Sequence, residues 1–311
     1  MILNTGSRTD IPAYYSDWFY NRIKAGYVYA RNPYYPSQIT KYLLKPEVID
    51  IMVFCTKNPL PMLDRISLLS EFDTFWFVTI TPYGKEIEPY VPPKEQVIRS
   101  FQQLSTLVGS ERMSWRYDPI FITDQYSIDY HIEQFAQMAK ALSGHTSQCV
   151  VSFIDLYEKT KRNFRGIRSV TTEAQEILIS AFSQIAKENG LQIHLCCENV
   201  RLVRGNVDAD GCLSKAMLEK ALGCKLNVPK KKAARSECSC LLGADIGAYN
   251  TCGHGCLYCY ANYDKETVTK NMRSHNVSSP LLIGDITEND VIKPAEQKSW
   301  KDGQLDIFDL L

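Results

Sequence analysis

Long hydrophobic runs are missing from this sequence, and no stretch approaches the ~18 apolar residues of a membrane-spanning helix. Residues 1–7 also lack the basic region and apolar run of a secretory signal. Net charge is absent too, because 35 basic residues balance 35 acidic ones, so only local patches could attract nucleic acid. No internal repeat occurs. We expect a cytoplasmic protein without a membrane partner, and 311 residues suffice for one large domain or two ordinary ones.

Cysteine is scarce in the first 195 residues, which contain only Cys55 and Cys149 of the eleven in the chain. The other nine lie within the next 64 residues: Cys196, Cys197, Cys212, Cys224, Cys238, Cys240, Cys252, Cys256 and Cys259. A cytoplasmic location argues against disulfides. A disulfide framework would also spread along the chain, so this clustering predicts a metal site.

Five short apolar segments occur between residues 50 and 199. The predicted strands are Ile51–Cys55, Phe75–Ile80, Met113–Tyr117, Cys149–Ile154 and Leu191–Leu195. Their nearly continuous hydrophobicity is typical of parallel strands that are covered on both faces. Repeated strand–helix units predict an α/β fold, which we expect to be a TIM-barrel-like parallel barrel, complete or partial.

Helical periodicity separates the last four of these strands. Each predicted helix ends at a glycine: Gly109, Gly144 and Gly190. Ser127 is predicted to cap the second helix and Thr172 the third, where Gln175 completes a capping-box pattern. Near the N-terminus, Tyr27–Arg31 and Ile39–Leu44 flank a turn region and predict a hairpin.

Polar side chains follow several of the predicted strands. Arg116 and Asp118 end the third strand, Asp155 follows the fourth, and Glu198 follows the fifth. Barrels of the β/α kind place their active sites at the carboxyl ends of their strands, so these four are candidate catalytic residues. Arg116 could bind a substrate carboxylate or phosphate through its guanidinium fork. Strand ends are also polar simply because they meet solvent, and Arg116 and Asp118 could form a structural salt bridge.

The spacing of Cys252, Cys256 and Cys259 is C-x3-C-x2-C, with Tyr258 directly before the last cysteine. Thiolates bind zinc or iron-sulfur clusters, and paired C-x2-C knuckles would be the usual zinc pattern. Only one such knuckle exists here. Three thiolates could hold three corners of a four-iron cubane and leave the fourth iron open for chemistry, although a zinc site stays an alternative. His254, inside the loop, is expected to support the site more than to bind iron.

Cysteines at this spacing, with an aromatic residue before the last, resemble the radical S-adenosylmethionine superfamily. The string Cys-x-His-x-Cys-x-Tyr-Cys-Tyr-Ala is most similar to the spore photoproduct lyase branch. The resemblance implies that Cys252, Cys256 and Cys259 hold a [4Fe-4S] cluster and that Tyr258 is a cofactor-binding residue. It also implies S-adenosyl-L-methionine as cofactor, an electron donor such as a flavodoxin or ferredoxin, and a 5′-deoxyadenosyl radical that takes a hydrogen atom from an unknown substrate.

Further segments resemble an uncharacterised bacterial and archaeal family, a domain of unknown function with such cysteines at its C-terminus. They are Ser7–Tyr14, Thr56–Pro59, Trp115–Pro119, Ser152–Asp155 and Asp245–Tyr249, and the resemblance covers roughly residues 1 to 263.

The cysteine loop comes last in this chain, whereas in the superfamily it follows the first barrel strand. A circular permutation would explain this order: residues 244–249 would form the strand before the loop, and residues 1–5 the strand beside it. The resemblance then implies that the methionine amino group is held by the turn that contains Asn4, Gly6, Ser7 and Arg8. The usual Gly-Gly-Glu string is absent.

The remaining cysteines allow a second iron-sulfur cluster. Cys238 and Cys240 form a tight pair that can reach one metal, and Cys197 with Cys212 could complete four thiolates. Whether Cys196 also belongs to this cluster stays open. Alternatively, Cys196, Cys197 and Cys224 are small buried apolar residues.

We expect a barrel-like domain over residues 1–235, a cysteine-rich iron-sulfur segment over 236–265, and a polar, extended C-terminal tail over 266–311. Within the tail, Gln304–Phe308 resembles the pentapeptide by which bacterial DNA repair and replication proteins dock on the sliding clamp. The tail could instead pack on its own domain.

A radical S-adenosylmethionine-type enzyme with an unknown substrate is the expected function. A DNA- or nucleotide-related substrate is a weaker conjecture, based on the lyase-like cysteine string and the clamp-like tail. Two alternatives stay open: a non-catalytic zinc or iron-sulfur protein that binds nucleic acid, and a metalloenzyme whose cluster only transfers electrons.

Overall fold

The apolar segments predicted as strands form the centre of one parallel sheet. The computed structural model describes residues 1–229, 240–241 and 243–302. Its strands are β1 (Ile2–Asn4), β2 (Tyr27–Arg31), β3 (Gln38–Leu43), β4 (Ile51–Thr56), β5 (Thr74–Thr79), β6 (Met113–Ile120), β7 (Gln148–Phe153), β8 (Gln192–Leu195), β9 (Val207–Asp208), β10 (Ala244–Asp245) and β11 (Val291–Pro294).

Eight of these strands lie side by side in the order β10-β1-β4-β5-β6-β7-β8-β9, and every neighbouring pair is parallel. This sheet confirms the predicted α/β class. Within the described residues the hydrogen-bonded ladder does not continue from β9 to β10, so the sheet is not shown to close into a barrel. The predicted hairpin is confirmed as the antiparallel pair β2 and β3.

The two faces of the sheet are buried by different parts of the chain. Successive residues of a strand point to opposite faces. Met52 and Phe54 therefore pack with the large aromatic core on one face, where Phe54 stacks on Trp76 with ring centroids 3.9 Å apart. Val53 and Phe77 pack on the other face. Burial on both faces explains why these strands have no polar stripe.

The described helices are α1 (Ile11–Tyr14), α2 (Ser16–Ala25), α3 (Leu60–Leu63), α4 (Lys94–Val108), α5 (Ile128–Leu142), α6 (Glu158–Asn163), α7 (Thr172–Glu188), α8 (Lys215–Leu222) and α9 (Lys265–Arg273). Helices α4, α5 and α7 cover the aromatic face, and α8 covers part of the other. Ser127 caps α5 as predicted, since its side chain accepts a hydrogen bond from the Tyr130 N–H. The predicted cap of α7 is wrong by one residue: Thr171 is the cap, and Thr172 begins the helix.

The predicted pairing of the first strand with the strand before the cysteine loop is confirmed. In β1 and β10, Leu3 lies opposite Ala244 and Asn4 opposite Asp245, in parallel register. The Ile246 N–H continues this ladder by donating to the Asn4 carbonyl oxygen over 3.1 Å. Two segments some 240 residues apart are thus neighbouring strands, and their carboxyl ends lie side by side.

The extended conformation expected after residue 265 is wrong for part of that segment. Helix α9 begins at Lys265, where the Asp264 side chain accepts a hydrogen bond from the Thr267 N–H. Strand β11 pairs in parallel with β3, and Trp300 is buried against the sheet. Among the described residues, no helix has the length and apolarity that crossing a bilayer would need. The clamp-like segment Gln304–Phe308 lies outside the described residues.

Candidate metal centres

Cys252, Cys256 and Cys259, called the loop triad below, lie in the loop between β10 and α9. All three are free, half-buried thiols. Burial raises the pKa of each. Each thiol must therefore lose its proton when a metal binds, because the thiolate is the ligand.

One buried hydrogen-bond network fastens the loop at His254. The Nε2 atom of His254 lies 2.8 Å from Asp10 Oδ2, and its Nδ1 atom lies 3.1 Å from the Tyr14 hydroxyl. Asp10 also accepts hydrogen bonds from the backbone N–H groups of Lys57 and Ala13, over 2.8 and 3.0 Å. Both nitrogens of His254 are thus occupied by the protein, which agrees with its predicted role as a supporting residue.

A second network fastens the loop at Tyr258, whose hydroxyl donates to Glu88. Glu88 Oε1 also accepts hydrogen bonds from Lys57 Nζ over 2.9 Å and from Thr81 Oγ1 over 2.6 Å. Burial alone would raise the pKa of Glu88, but Lys57 and these hydroxyls lower it by more. Glu88 is therefore an ionised carboxylate that joins the loop to the strand ends.

The turn proposed to hold S-adenosylmethionine follows β1. Ser7 Oγ accepts a hydrogen bond from Asn4 Nδ2 over 2.7 Å, and the Gly6 N–H donates to Asn4 Oδ1 over 3.1 Å. A Cβ atom at Gly6 would come within 2.4 Å of Cys55 Cβ, so only glycine fits this close approach. The Tyr260 hydroxyl donates to the Ser7 carbonyl oxygen over 2.6 Å. The turn and the cysteine loop are therefore in direct contact.

Arg8, the last residue of that turn, is paired inside the protein. Its guanidinium donates to the Asp245 carbonyl oxygen, and its Nε atom lies 3.4 Å from Asp245 Oδ2. The Arg8 guanidinium also lies 5.9 Å from the centre of the Tyr249 ring. Arg8 thus ties the turn to β10 and to the start of the loop.

Arg116 and Asp118 form a half-buried ion pair at the end of β6, with the Arg116 Nε atom 3.1 Å from Asp118 Oδ2. Ser152 donates a hydrogen bond to the other oxygen of Asp118. This geometry agrees with the structural salt bridge that was the alternative to a catalytic role. Burial lowers the pKa of Arg116, but Asp118 and the nearby thiols of Cys212 and Cys55 raise it by more.

Glu198 and Asp155 lie on the same rim. Glu198 accepts a hydrogen bond from the Phe153 N–H over 2.7 Å. Burial, with smaller contributions from the carboxylates of Asp155 and Asp118, raises the pKa of Glu198 to about 8. Asp155 is exposed and accepts a hydrogen bond from the Tyr157 hydroxyl over 3.1 Å. The structure thus places all four candidate catalytic residues at the carboxyl ends of neighbouring strands of the sheet.

Cys196, Cys212 and Cys240, called the edge triad below, form a second thiol group. Their three sulfur atoms all lie within 4.8 Å of one another. Cys212 Sγ lies 3.2 Å from Cys240 Sγ, and the Cys212 N–H donates to the same Cys240 sulfur over 3.2 Å. Hydrogen bonds from neighbouring thiols lower the pKa of Cys196 and raise those of its two partners. Cys238 lies outside the described residues.

Two features of this edge escaped prediction. Glu88 lies in no apolar pattern or motif, and only the fold brings it to Tyr258 and Lys57. The sequence left open whether Cys196 belongs to a second cluster or is a buried apolar residue, although Cys196 directly follows a strand. The position after a strand was the signal that could have placed Cys196 with the other rim residues.

Comparisons with known proteins give one family. No match was found among curated proteins or among solved structures. A family model described as a domain of unknown function, DUF1848, matches residues 2–261. The match therefore includes strands β1 to β10 and the loop triad. Because it covers most of the 311 residues, the chain belongs to the DUF1848 family.

Proposed function

We propose that this protein is a radical S-adenosylmethionine-type enzyme in which Cys252, Cys256 and Cys259 hold a [4Fe-4S] cluster. The observation that carries the proposal is the parallel pairing of β1 with β10. It brings the cysteine loop and the Asn4–Arg8 turn to adjacent strand ends, where Tyr260 contacts Ser7. In α/β proteins with parallel strands, ligands bind at the carboxyl ends of the strands.

The donor set of the loop triad fits such a cluster. All three thiols are free, and the Ala261 N–H donates to Cys259 Sγ over 3.4 Å, a hydrogen bond that favours a thiolate. Because His254 is held by Asp10 and Tyr14, the loop offers three cysteine ligands and no imidazole. Asn262 donates to the Cys252 carbonyl oxygen, and its own buried side-chain oxygen has no hydrogen-bond partner among the described residues. That oxygen is free to accept a hydrogen bond from a bound group.

When bound, the cluster and S-adenosylmethionine would supply reductive radical chemistry, driven by electrons from a flavodoxin or ferredoxin, for taking a hydrogen atom from the substrate. In this proposal the Asn4–Arg8 turn and Tyr258 hold and orient S-adenosylmethionine. Arg116, Asp118, Asp155 and Glu198 line the rim on which a substrate would bind. Glu198 could hold a proton near neutral pH, because its pKa is raised to about 8.

The test is anaerobic purification of the full chain, followed by reduction with dithionite in the presence of S-adenosylmethionine. We expect a brown protein with about four irons per chain, and formation of 5′-deoxyadenosine. The triple variant Cys252→Ser/Cys256→Ser/Cys259→Ser should form none. Cys224→Ser is the matched control, since Cys224 belongs to neither triad, and it should behave as the unmodified chain does.

Two results would contradict the proposal. A colourless protein with stoichiometric zinc and no iron would favour the zinc alternative. An iron-loaded, reducible protein that forms no 5′-deoxyadenosine would favour a cluster that only transfers electrons.

A further inference from the structure

The three sulfur atoms of the edge triad are arranged as ligands of one ion. Zinc–sulfur bonds of ~2.3 Å in a tetrahedron place the sulfur atoms ~3.8 Å apart. In Cys196, Cys212 and Cys240 all three sulfur atoms lie within 4.8 Å of one another. Each thiolate of a cubane binds a different iron, which spreads the sulfur atoms further apart. The three sulfur atoms of the loop triad do not all lie within 4.8 Å of one another, so the two triads differ in geometry.

Backbone contacts hold the three segments of the edge triad in place. The Cys196 N–H donates to the Val151 carbonyl oxygen over 3.0 Å and so extends the β7–β8 ladder by one residue. The Leu241 N–H donates to the Leu213 carbonyl oxygen over 2.9 Å, which joins the residues that follow Cys240 and Cys212. The three sulfur atoms therefore meet because the fold brings distant segments together.

The surroundings suit a charged metal–thiolate group. The cysteines of the edge triad border the apolar cluster that contains Phe75 and Phe77, so solvent is limited on that side. A divalent ion with three thiolates carries one net negative charge. The Arg116 guanidinium, which lies 5.4 Å from the Phe77 ring centre, interacts electrostatically with Cys196 and Cys212. A buried negative group needs such a partner.

A disulfide explains these distances less well. Cys212 and Cys240 are free, and 3.2 Å is longer than the ~2.05 Å of a sulfur–sulfur bond. A disulfide would also leave Cys196 without a reason to lie against the pair. The next residue, Cys197, has a φ of 58°, a left-handed conformation that residues other than glycine rarely adopt. Cys197 interacts with Cys196, but its sulfur does not belong to the group whose three sulfur atoms lie within 4.8 Å of one another.

We propose that Cys196, Cys212 and Cys240 bind a single thiophilic divalent ion, Zn²⁺ or Fe²⁺, at a centre separate from the loop triad. Thiolates in tetrahedral geometry select these ions. The proposal does not depend on the proposed enzymatic function, because it concerns different cysteines and a different metal geometry.

The test uses the full chain with the loop triad removed by Cys252→Ser/Cys256→Ser/Cys259→Ser. We expect it to retain about one zinc or iron per chain, without acid-labile sulfide. Replacing the ion with Co²⁺ should give sulfur-to-cobalt charge-transfer absorption and the strong visible bands of tetrahedral Co²⁺. Adding Cys212→Ser or Cys240→Ser should abolish both signals, whereas adding Cys224→Ser should leave them unchanged.

Three results would overturn the proposal: the absence of bound metal from a folded chain, a Cys212–Cys240 disulfide detected by mass spectrometry, or iron accompanied by equal sulfide. If circular dichroism shows that an added serine variant is unfolded, the test is made on the variant that lacks only the loop triad. Chelator should then remove one ion from it, and Co²⁺ should restore the spectrum. Failure of the enzymatic proposal leaves these readouts unchanged, because they are measured without the loop triad.

Discussion

The loop triad takes its three cysteines from eight consecutive residues, whereas the edge triad takes its three from segments 16 to 44 residues apart. The loop thiols are held by side-chain networks around Asp10 and Glu88. The edge thiols are held by backbone contacts next to β8 and by contact with one another. Sequence spacing therefore predicts the first group and says little about the second.

This difference has a thermodynamic consequence. A metal that binds residues far apart in the chain closes long loops, and such a site exists only in the folded state. Its binding free energy is therefore added to the free energy of folding. A site within one loop can lose its metal while the rest of the sheet stays folded. The edge triad should accordingly affect global stability, and the loop triad should affect mainly local order.

The largest expected effect follows from removing metal from the edge triad. We expect chelation to lower the free energy of unfolding by on the order of 4 kcal/mol, as for a ligand present at about a thousand times its dissociation constant. Guanidinium unfolding of metal-loaded and metal-free protein measures this. Removing the loop triad by Cys252→Ser/Cys256→Ser/Cys259→Ser should lower the free energy of unfolding far less. An equal decrease in the free energy of unfolding at the two sites would contradict the idea that only the edge triad supports global stability.

The next effect concerns Asp10, the buried anchor of the loop. Asp10→Ala leaves the Lys57 N–H and His254 without their acceptor, which should cost about 2–3 kcal/mol and lower the iron content of the loop triad. The edge ion should stay bound. Asp17→Ala is the matched control: Asp17 is exposed on α2 and pairs with the half-buried Arg65, so its loss should cost less than about 0.5 kcal/mol. Unchanged iron content in Asp10→Ala would show that this network does not support the loop.

The same contrast explains how much could be predicted from the sequence. Continuous apolar runs predicted strands β4 to β8, because a parallel strand buried on both faces needs them. The position of the cysteine loop in the chain predicted the β1–β10 pairing. Helix α9 and strand β11 were missed because they are polar and largely exposed, so no apolar pattern marks them.

The candidate site was predictable where its residues are neighbours in the chain or follow strands. The loop triad, Arg116 and Glu198 were found in this way. The grouping of Cys212 with Cys240 was also expected, but only as part of a larger cluster. The position of Glu88 depends on long-range packing, which leaves no local signal. The contact of Cys196 with these thiols also depends on packing, and its only local signal is its position directly after β8.

Arg116 gives a smaller effect that tests the charge of the edge triad. Arg116→Gln removes the positive charge beside Cys196 and Cys212, and should weaken metal binding about tenfold. Asp118→Asn should strengthen metal binding or leave it unchanged, because it removes a negative charge and leaves Arg116 free to interact with the thiolates. Competition with a coloured chelator measures both affinities, with circular dichroism as the check on folding. Equal weakening in both variants would mean that the ion pair acts through packing alone.

The smallest effect concerns Tyr258, at the point where the loop contacts Glu88. Tyr258→Phe removes one hydrogen bond, while Lys57 and Thr81 keep theirs, so we expect a loss of about 1 kcal/mol at neutral pH. The folded-state pKa of Glu88 lies below its ordinary value of 4.5, so the ionised form contributes stability above that pH and loses it as the pH falls through the folded-state value. Without the hydroxyl the folded-state pKa of Glu88 rises. The difference in stability between the variant and the unmodified chain should therefore disappear in acid, where Glu88 is protonated in both.

Tyr263→Phe is the control, because Tyr263 is half exposed and its ring stacks on Arg162 in either form. A pH-independent loss in Tyr258→Phe would mean that packing of the ring, and not its bond to the Glu88 carboxylate, fastens this side of the loop.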